Sequence, residues 1–381
     1  NGISMPVVQA TLYMKNLVYY LDKPGGTFTP VEEEIGDPAP GEIRVRVLRT
    51  SVCQSDVVIY NVGLPRIKQW PAILMHEVSA EVDAVGEGVT NFEPGDLVGI
   101  GCDIPCGDRE CIYCGDEGTG DWTYCPNTQA TGHEFAGFAR KYAILPDWFV
   151  KLGPIAKFPK GFSADQACQV EPLACGLEGM TRVNNCIENR IVILIAAGSQ
   201  STYALQCAQA MGARKVIMIN RGKERLERVM RDFGDERTVG VVWDDDVVEN
   251  TLRECQPFNE PHFVMVNAPA EPGYRLATQL MGYGTVLDGH AGVKGAAGKP
   301  KIMHEVDLNN DIHYKLQVYQ ATHGSNWHGI GLARDMLIGG GMTKLDLMTN
   351  DSERFHHTQI IEAIHRAEDK DSLKVIINWE D

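Results

Sequence analysis

Apolar and polar residues alternate in short runs over the first 150 residues of the chain. Runs at 42–50, 79–89 and 94–101 have the two-residue period of strands with one buried face, and glycine and proline residues separate them. The pattern predicts an all-β, barrel-like unit in this part of the chain.

The pattern changes from about residue 175 onward, where strand-length apolar runs alternate with helical segments. A continuous apolar run at 190–197 predicts a buried strand, and a helix at 202–213, a strand at 215–220 and a helix at 223–234 are predicted after it. Later strands are predicted at 261–268 and 284–289. Strands that alternate with helices in this way form a parallel sheet, which predicts an α/β unit.

Length and charge narrow the class of protein. A chain of 381 residues predicts two domains. Its net charge of −16 argues against nucleic acids and anionic membranes as partners, and no apolar run approaches the roughly 20 residues that cross a bilayer. Eleven cysteines without a visible secretion signal favour thiols or metal sites over disulfides, so we expect a cytoplasmic protein.

A short glycine-containing segment, "AAGSQS" at 196–201, lies between the first predicted strand of the α/β unit and its helix. This is where a dinucleotide-binding fold places pyrophosphate over a helix N-terminus, so Gly198, Ser199 and Gln200 are predicted to bind a cofactor. Small residues replace the other two glycines of the usual motif. The alternative is an ordinary turn between a strand and a helix.

The end of the next predicted strand bears on the choice of cofactor. An acidic residue there would bind the adenosine ribose, but this chain has Asn220, followed by Arg221, Lys223 and Arg225. Arginine suits a 2′-phosphate because its planar fork makes paired, charge-assisted hydrogen bonds. We therefore predict NADP rather than NAD, although use of both cofactors remains open and these cations also suit a solvated helix face.

Four cysteines in a glycine-rich loop predict a structural zinc site. Cys106, Cys111, Cys114 and Cys125 have the spacing C-x4-C-x2-C-x10-C. Four thiolates close the coordination shell of zinc and leave no position for a substrate. Cys102 is an alternative first ligand, and Cys106 is preferred.

A second metal site needs ligands outside that loop. Cys53 stands in "VCQSD", His76 and Glu77 in "LMHEVSAE", and Glu171 in "QVEPLACGLEG". Taken singly, each has a simpler interpretation, as a core thiol, a core histidine or a charge at the start of a helix.

Together, these residues resemble the zinc-dependent branch of the medium-chain dehydrogenase/reductase superfamily, whose members include the alcohol dehydrogenases. The resemblance covers nearly the whole chain. Its "EPLA" at 171–174 is similar to the polyol, sugar and threonine dehydrogenases, and "INR" at 219–221 to sugar dehydrogenases that accept NADP. The other motifs are "VCQSD" (52–56), "MHE" (75–77), "GEGVTNFEPGDLV" (86–98), "IPCG" (104–107) and "CIYC" (111–114).

The resemblance implies an α/β protein in which a GroES-like β-barrel catalytic domain is joined to a Rossmann domain with a doubly wound parallel sheet. The catalytic domain would comprise residues 1–178 and a return segment at 321–381, and the NAD(P)-binding domain would comprise residues 179–320. A catalytic zinc would be bound by Cys53, His76 and Glu171, with Glu77 as a ligand either directly or through water.

The resemblance also assigns the proton chemistry. Ser55 would take the proton from the substrate hydroxyl, and Asp56 would orient His76. A relay histidine that many relatives carry five positions after the first zinc ligand is Val58 here. His323 and Asn326 lie in the region that lines the nicotinamide side in relatives, where either a ligand contact or a surface-loop role is open.

The activity that the resemblance implies is hydride transfer between NAD(P) and a secondary alcohol or ketone of a polyol, sugar or cyclitol, by a homodimer or homotetramer. A threonine or amino-alcohol dehydrogenase of the same branch is a close alternative. A nucleotide-binding relative without catalytic activity is a third, favoured only by the altered glycine segment.

Overall fold

A computed structural model of the chain describes residues 13–115, 117–182, 187–258, 261–292, 306–342 and 344–381. None of the helices in these ranges combines the length and the apolar character needed to cross a membrane. The strands are β1 Met14–Leu21, β2 Phe28–Ile35, β3 Ile43–Ser51, β4 Glu77–Val85, β5 Leu97–Ile100, β6 Asp103–Ile104, β7 Gln129–Ala130, β8 Tyr142–Leu145, β9 Ile155–Phe158, β10 Ile191–Ile195, β11 Lys215–Asn220, β12 Thr238–Val242, β13 Phe263–Val266, β14 Val286–Gly289, β15 Val318–Ala321, β16 Arg354–His356 and β17 Ile376–Asn378. The α-helices are α1 Gln54–Val62, α2 Asp147–Leu152, α3 Ala164–Ala167, α4 Val170–Thr181, α5 Ser199–Ala210, α6 Lys223–Phe233, α7 Val247–Glu254, α8 Glu271–Leu280, α9 Trp327–Ile338 and α10 Ile360–Glu368.

The second half of the chain forms a parallel sheet, which has six strands within the described residues. Their spatial order is β12–β11–β10–β13–β14–β15. Counted from β10, this is the order 3-2-1-4-5-6 of a doubly wound dinucleotide-binding fold. Val192 and Leu194 face one apolar cluster and Ile193 faces another. Helices therefore cover both faces of the sheet, which explains why β10 is a continuous apolar run.

The first part of the chain forms a second, mostly antiparallel sheet in the order β16–β17–β3–β4–β5–β9, with β8 also paired to β3. β17 comes from the end of the chain, where Ile377 pairs with Thr50 of β3. The chain therefore returns to its first sheet after completing the parallel one. The exact domain boundaries near 178 and 320 stay predictions.

Helix α6 holds the return segment against the parallel-sheet unit. The Arg225 guanidinium donates hydrogen bonds to the carbonyls of Lys370 and Asp369, the second at 3.1 Å, and Arg228 donates to the carbonyl of Asp371. These contacts fix the position of the loop between α10 and β17 relative to the parallel-sheet unit.

The predicted elements are present, although several boundaries differ, most of all in one strand and one helix. The strand predicted at 79–89 ends at Val85, because a turn at Gly86 follows. The helix predicted at 202–213 runs from Ser199 to Ala210. Its polar first turn resembled a loop in the sequence, yet Gly198 is already its N-cap.

Two residues that carry a Cβ have left-handed backbone conformations, which usually favour glycine. Ala196, in the segment before α5, has φ 112°, and Met75, immediately before His76, has φ 72°. Glycine adopts such angles without a steric penalty, whereas residues with a Cβ are strained there. Both turns therefore have a backbone conformation that favours glycine, although a residue with a Cβ occupies each position.

We expect Ala196→Gly to stabilise the protein by about 1 kcal/mol. It relieves about 1–3 kcal/mol of strain at a positive φ, which exceeds the entropic penalty of a glycine in the unfolded chain, about 0.4–1 kcal/mol. Denaturant unfolding measures the change. The matched control is Ala197→Gly next to it, a buried residue that is not left-handed, which should destabilise by about 1 kcal/mol. Equal losses in both variants would contradict the strain at Ala196.

Candidate active site and metal sites

A cavity of about 550 Å³ lies at the carboxyl edge of the parallel sheet. Ser199 follows β10, Asn267 follows β13, His290 follows β14 and His323 follows β15, and all four line the cavity. Ligands of open α/β sheets bind outside the carboxyl ends of the strands. The cavity therefore lies where a cofactor and its substrate meet in this fold.

The opposite wall of the cavity comes from the first sheet, its connections and helix α4. Most of its polar side chains are potential metal ligands or proton carriers. The residues are Cys53, Gln54, Ser55, Val58, Leu64, Arg66, His76, Glu77, Cys102, Asp103, His133, Glu171, Cys175 and Lys374.

The fully buried carboxylate of Asp56 joins the two segments that carry Cys53 and His76. Its Oδ2 accepts a hydrogen bond from the backbone N–H of Cys53 at 3.0 Å, and its Oδ1 accepts one from the N–H of Met75 at 3.2 Å. The Nδ1 atom of His76 lies 3.8 Å from Oδ1. Burial raises the pKa of Asp56, while the charge of His76 and the two backbone donors oppose that shift. Asp56 thus lies on the side of His76 where a metal-bound imidazole directs its N–H.

The structure brings Cys53, His76 and Glu77 together. One ligand atom from each lies within 4.8 Å of the others. Glu171 lines the same cavity but does not belong to this group of three, so its predicted role as a ligand stays a prediction. Burial raises the pKa of Glu171 to about 7, and the Cys175 thiol donates a hydrogen bond to its Oε1 at 3.3 Å.

Glu77 is held by a buried cation. The Lys374 Nζ donates to both of its carboxylate oxygens, at 2.9 and 2.7 Å, and the Ser51 hydroxyl donates to Oε2. Lys374 is 3% exposed and Glu77 is 1% exposed. A buried carboxylate needs such a partner, and Lys374 supplies it beside Cys53 and His76.

Several buried polar atoms at the cavity have no hydrogen-bond partner among the described residues. They are the hydroxyl of Ser55, the Nδ1 of His76 and both side-chain amide atoms of Asn267. Buried polar groups are normally satisfied, so exceptions need an explanation. A bound cofactor and substrate would supply partners for Ser55 and Asn267, while the Nδ1 of His76 faces the carboxylate of Asp56. A thiolate, an imidazole and a carboxylate are ligand types of a catalytic zinc.

The predicted cofactor residues lie at two cavities beside the parallel sheet, the large one and a smaller one. Ser199 and Gln200 line the large cavity, and Gly198 caps the helix that starts there. Asn220 accepts a hydrogen bond from the N–H of Ala197 at 3.2 Å and so supports this turn.

A smaller cavity of about 170 Å³ lies beside the turn, between the ends of β10 and β11. Arg221 lines it with its guanidinium 4.6 Å from the centroid of the Trp243 ring. The Nη1 atom of Arg225 lies 3.9 Å from the position that a Cβ on Gly198 would occupy. Arg225 therefore lies near the turn while it also holds the return segment.

The four predicted cysteines form a cluster. One sulfur from each of Cys106, Cys111, Cys114 and Cys125 lies within 4.8 Å of the other three. Backbone N–H groups of Cys114 and Tyr113 lower the pKa of Cys111 to about 7, which favours the thiolate that a metal requires. Cys106, rather than Cys102, takes part in this cluster.

The cysteine loop is anchored to the rest of the protein by a tryptophan. Trp122 is buried against the cluster, and its Nε1 donates to the carbonyl of Ser325 at 3.3 Å. Asn326 next to it caps α9, accepting from the N–H of Gly329 at 2.9 Å. The roles of His323 and Asn326 were undecided from the sequence. His323 lines the large cavity, whereas Asn326 caps a helix.

Several cavity residues had no signal in the sequence. The His290 Nδ1 lies 3.2 Å from the hydroxyl of Thr322, which donates in turn to Asp288 at 2.8 Å. Since this hydroxyl has one hydrogen, Nδ1 is the donor, and the Nε2 of His290 carries the lone pair. Burial lowers the pKa of His290 to about 4, so the ring is neutral. Lys374, His133 and Asn267 were missed as well, because each reaches the cavity only through tertiary contacts.

Replacing Cys111 by alanine should lower the free energy of unfolding by roughly 3 kcal/mol or more, because a closed metal site contributes folding free energy. Denaturant unfolding with and without a zinc chelator measures this effect. The control is Cys207→Ala, a buried cysteine in α5 outside the cluster, which should lose less and remain sensitive to the chelator. If Cys111→Ala is as stable as the control, the loop does not depend on metal.

Comparison with known proteins agrees with this arrangement. Residues 39–155 match the model of the alcohol dehydrogenase GroES-like domain. L-threonine 3-dehydrogenase of Pyrococcus horikoshii is 31% identical over 233 residues, 60% of this chain and 63% of that protein. Galactitol 1-phosphate 5-dehydrogenase of Escherichia coli K12 is 29% identical over 247 residues, 63% of this chain and 65% of that protein. The chain spans a little under two thirds of the length of these curated relatives.

The solved structure of an alcohol dehydrogenase from Thermotoga maritima superposes with a TM-score of 0.83 at 20% identity, over 96% of this chain and all of that one. At this identity the likeness shows the fold. The expected combination of a GroES-like domain with a Rossmann sheet is confirmed by the family match and the strand order. Residues 39–155 thus match an alcohol dehydrogenase domain, and the chain as a whole is similar in fold to the alcohol dehydrogenases of the superfamily that its motifs resemble.

Proposed function

We propose that this chain is a zinc-dependent oxidoreductase that transfers a hydride between a secondary alcohol or its ketone and NAD(P). The observation that carries the proposal is the convergence of Cys53, His76 and Glu77 on one cavity at the carboxyl edge of a dinucleotide-binding sheet. Three protein ligands beside an open cavity are the arrangement of a catalytic zinc, whereas four closed thiolates are that of a structural one.

Cys53 and His76 would bind the catalytic zinc together with a carboxylate from Glu77 or Glu171. A zinc ion there supplies Lewis acidity toward the substrate oxygen, which stabilises an alkoxide or polarises a carbonyl. Asp56 orients the His76 ring and at the same time fixes the backbone of Cys53. Lys374 donates hydrogen bonds to both carboxylate oxygens of Glu77 and so holds this carboxylate beside Cys53 and His76.

Ser55 is the proposed first proton carrier. Its hydroxyl lies at the cavity, two residues after Cys53, and lacks a hydrogen-bond partner among the described residues. A substrate hydroxyl bound next to Cys53 would supply that partner and pass its proton through it. Val58 lines the same wall and cannot continue the relay, so the proton leaves by another route.

NADP is the proposed cofactor, with NAD as the alternative. The site for the adenosine end is the smaller cavity, where the Arg221 guanidinium lies 4.6 Å from the centroid of the Trp243 ring and the described lining residues include no carboxylate. A guanidinium fixed in this way is pre-organised to bind a 2′-phosphate through paired hydrogen bonds.

The proposed substrate is the secondary hydroxyl of a polyol, sugar or cyclitol. The similarity to galactitol 1-phosphate 5-dehydrogenase supports it, and the similarity to L-threonine 3-dehydrogenase supports an amino alcohol as the alternative. An activity screen over sugars, cyclitols and amino alcohols with both nicotinamide cofactors tests the proposal. Reduction of NAD(P) by one class confirms it, and no turnover of any class by zinc-loaded protein would favour a binding protein without catalytic activity.

Cys53→Ala should lower kcat by about three orders of magnitude, or about 4 kcal/mol in the barrier, because the ion loses its thiolate ligand at the reacting position. Unfolding curves should stay close to those of the wild type, since an open site contributes little to the fold. Steady-state kinetics and denaturant unfolding measure the two effects. Cys207→Ala is the control that should retain turnover. If Cys53→Ala lost its fold, the assignment of one metal site to catalysis and the other to stability would be wrong.

Arg221→Ala should raise the KM for NADP about 10–100-fold, because charge-assisted hydrogen bonds to the 2′-phosphate contribute about 1.5–3 kcal/mol, while the KM for NAD changes less than about threefold. Initial rates with each cofactor measure the difference. The control is Arg231→Ala on helix α6, whose exposed side chain pairs with Asp232. Equal changes for the two cofactors would refute the role of Arg221.

A further inference from the structure

A second group of potential metal ligands lies next to His76. One ligand atom from each of His76, Cys102 and His133 lies within 4.8 Å of the other two. All three residues line the large cavity. Neither Cys102 nor His133 has a part in the proposed reaction.

The fold places Cys102 and His133 at this position through a short ladder of backbone contacts. Strand β6 pairs with β7, so that Asp103 lies opposite Ala130. One step beyond the ladder, the N–H of Thr131 donates to the carbonyl of Cys102 at 3.0 Å. Gly132, with φ 73°, lets this turn approach His76 closely, because a Cβ there would lie 3.4 Å from the His76 Nδ1.

The contacts of His133 fix which of its nitrogens is available to a metal. Its Nδ1 lies 3.2 Å from the carbonyl oxygen of Thr131. A carbonyl only accepts hydrogen bonds, so Nδ1 carries the proton and Nε2 carries the lone pair. Metal-binding histidines typically donate their second N–H to a carbonyl in this way.

We infer that His76, Cys102 and His133 form a second ligand set for zinc, an alternative to the set of Cys53, His76 and Glu77. Thiolate sulfur and imidazole nitrogen are both zinc ligands in proteins. A neutral imidazole has one lone pair, so His76 binds one ion at a time and the two sets compete for it. The inference rests on the catalytic-metal part of the proposed function, because His76 is common to both sets.

The second set predicts a property that a single site would not have. An ion bound by Cys102 and His133 has left Cys53 while it remains attached to His76. A chain without Cys53 should therefore still bind two zinc ions, one at the cysteine cluster and one at the second set, although it has lost its turnover.

The experiment measures zinc per chain by elemental mass spectrometry after dialysis against a zinc buffer, for folded protein checked by unfolding curves. Wild type and Cys53→Ala should each bind two zinc ions. Cys53→Ala combined with Cys102→Ala, or with His133→Gln, should bind one. The matched control combines Cys53→Ala with Cys175→Ala, which removes a buried cavity thiol outside the second set, and should bind two.

One zinc in Cys53→Ala overturns the inference, and so do two zincs in either double variant with Cys102→Ala or His133→Gln. If one double variant does not fold, the other decides. One zinc ion per wild-type chain would refute the catalytic metal of the proposed function itself. Two zinc ions in the wild type with one in Cys53→Ala would refute the second ligand set alone.

Discussion

The buried carboxylate of Asp56 is the interaction on which the candidate site depends. A carboxylate without exposure must have its oxygens satisfied by donors. Here the donors are backbone N–H groups of Cys53 and Met75, which belong to segments about 20 residues apart. Satisfying one side chain therefore fixes the start of helix α1 and the start of strand β4 relative to each other. A thiol and an imidazole are brought to one side of the cavity as a consequence.

Backbone strain is retained at the two turns that shape the site. Ala196 precedes the helix whose N-terminus faces the cavity, and Met75 precedes His76, and both have φ values that favour glycine. Strained residues persist only where the surroundings determine the conformation. At Met75 the surroundings include Asp56, which accepts its N–H. The geometry of these turns is thus determined by contacts rather than by the local residue.

The two proposed kinds of metal site are connected by one short pair of strands. The cysteine loop lies between β6 and β7, and Cys102 and His133 flank these strands on the cavity side. The loop that joins these two strands has little apolar content, and the cysteine cluster together with Trp122 holds the loop in place. A metal that stabilises the loop therefore also supports one wall of the cavity, although it takes no part in the chemistry there.

The sequence by itself predicted four strands of the parallel sheet, the helices that follow the first two of them, and the preferred four ligands of the cysteine cluster. These are local properties, since periodicity and the spacing of Cys111 and Cys114 depend on residues a few positions apart. The tertiary structure brought Glu77 within 4.8 Å of Cys53 and His76, and Glu171 to the same cavity. It also decided that Lys374, 297 positions further along, holds Glu77, and that Asn267 and His133 reach the cavity. These positions follow from sheet order and register, which bring distant segments together and leave no trace in the residues of any one segment.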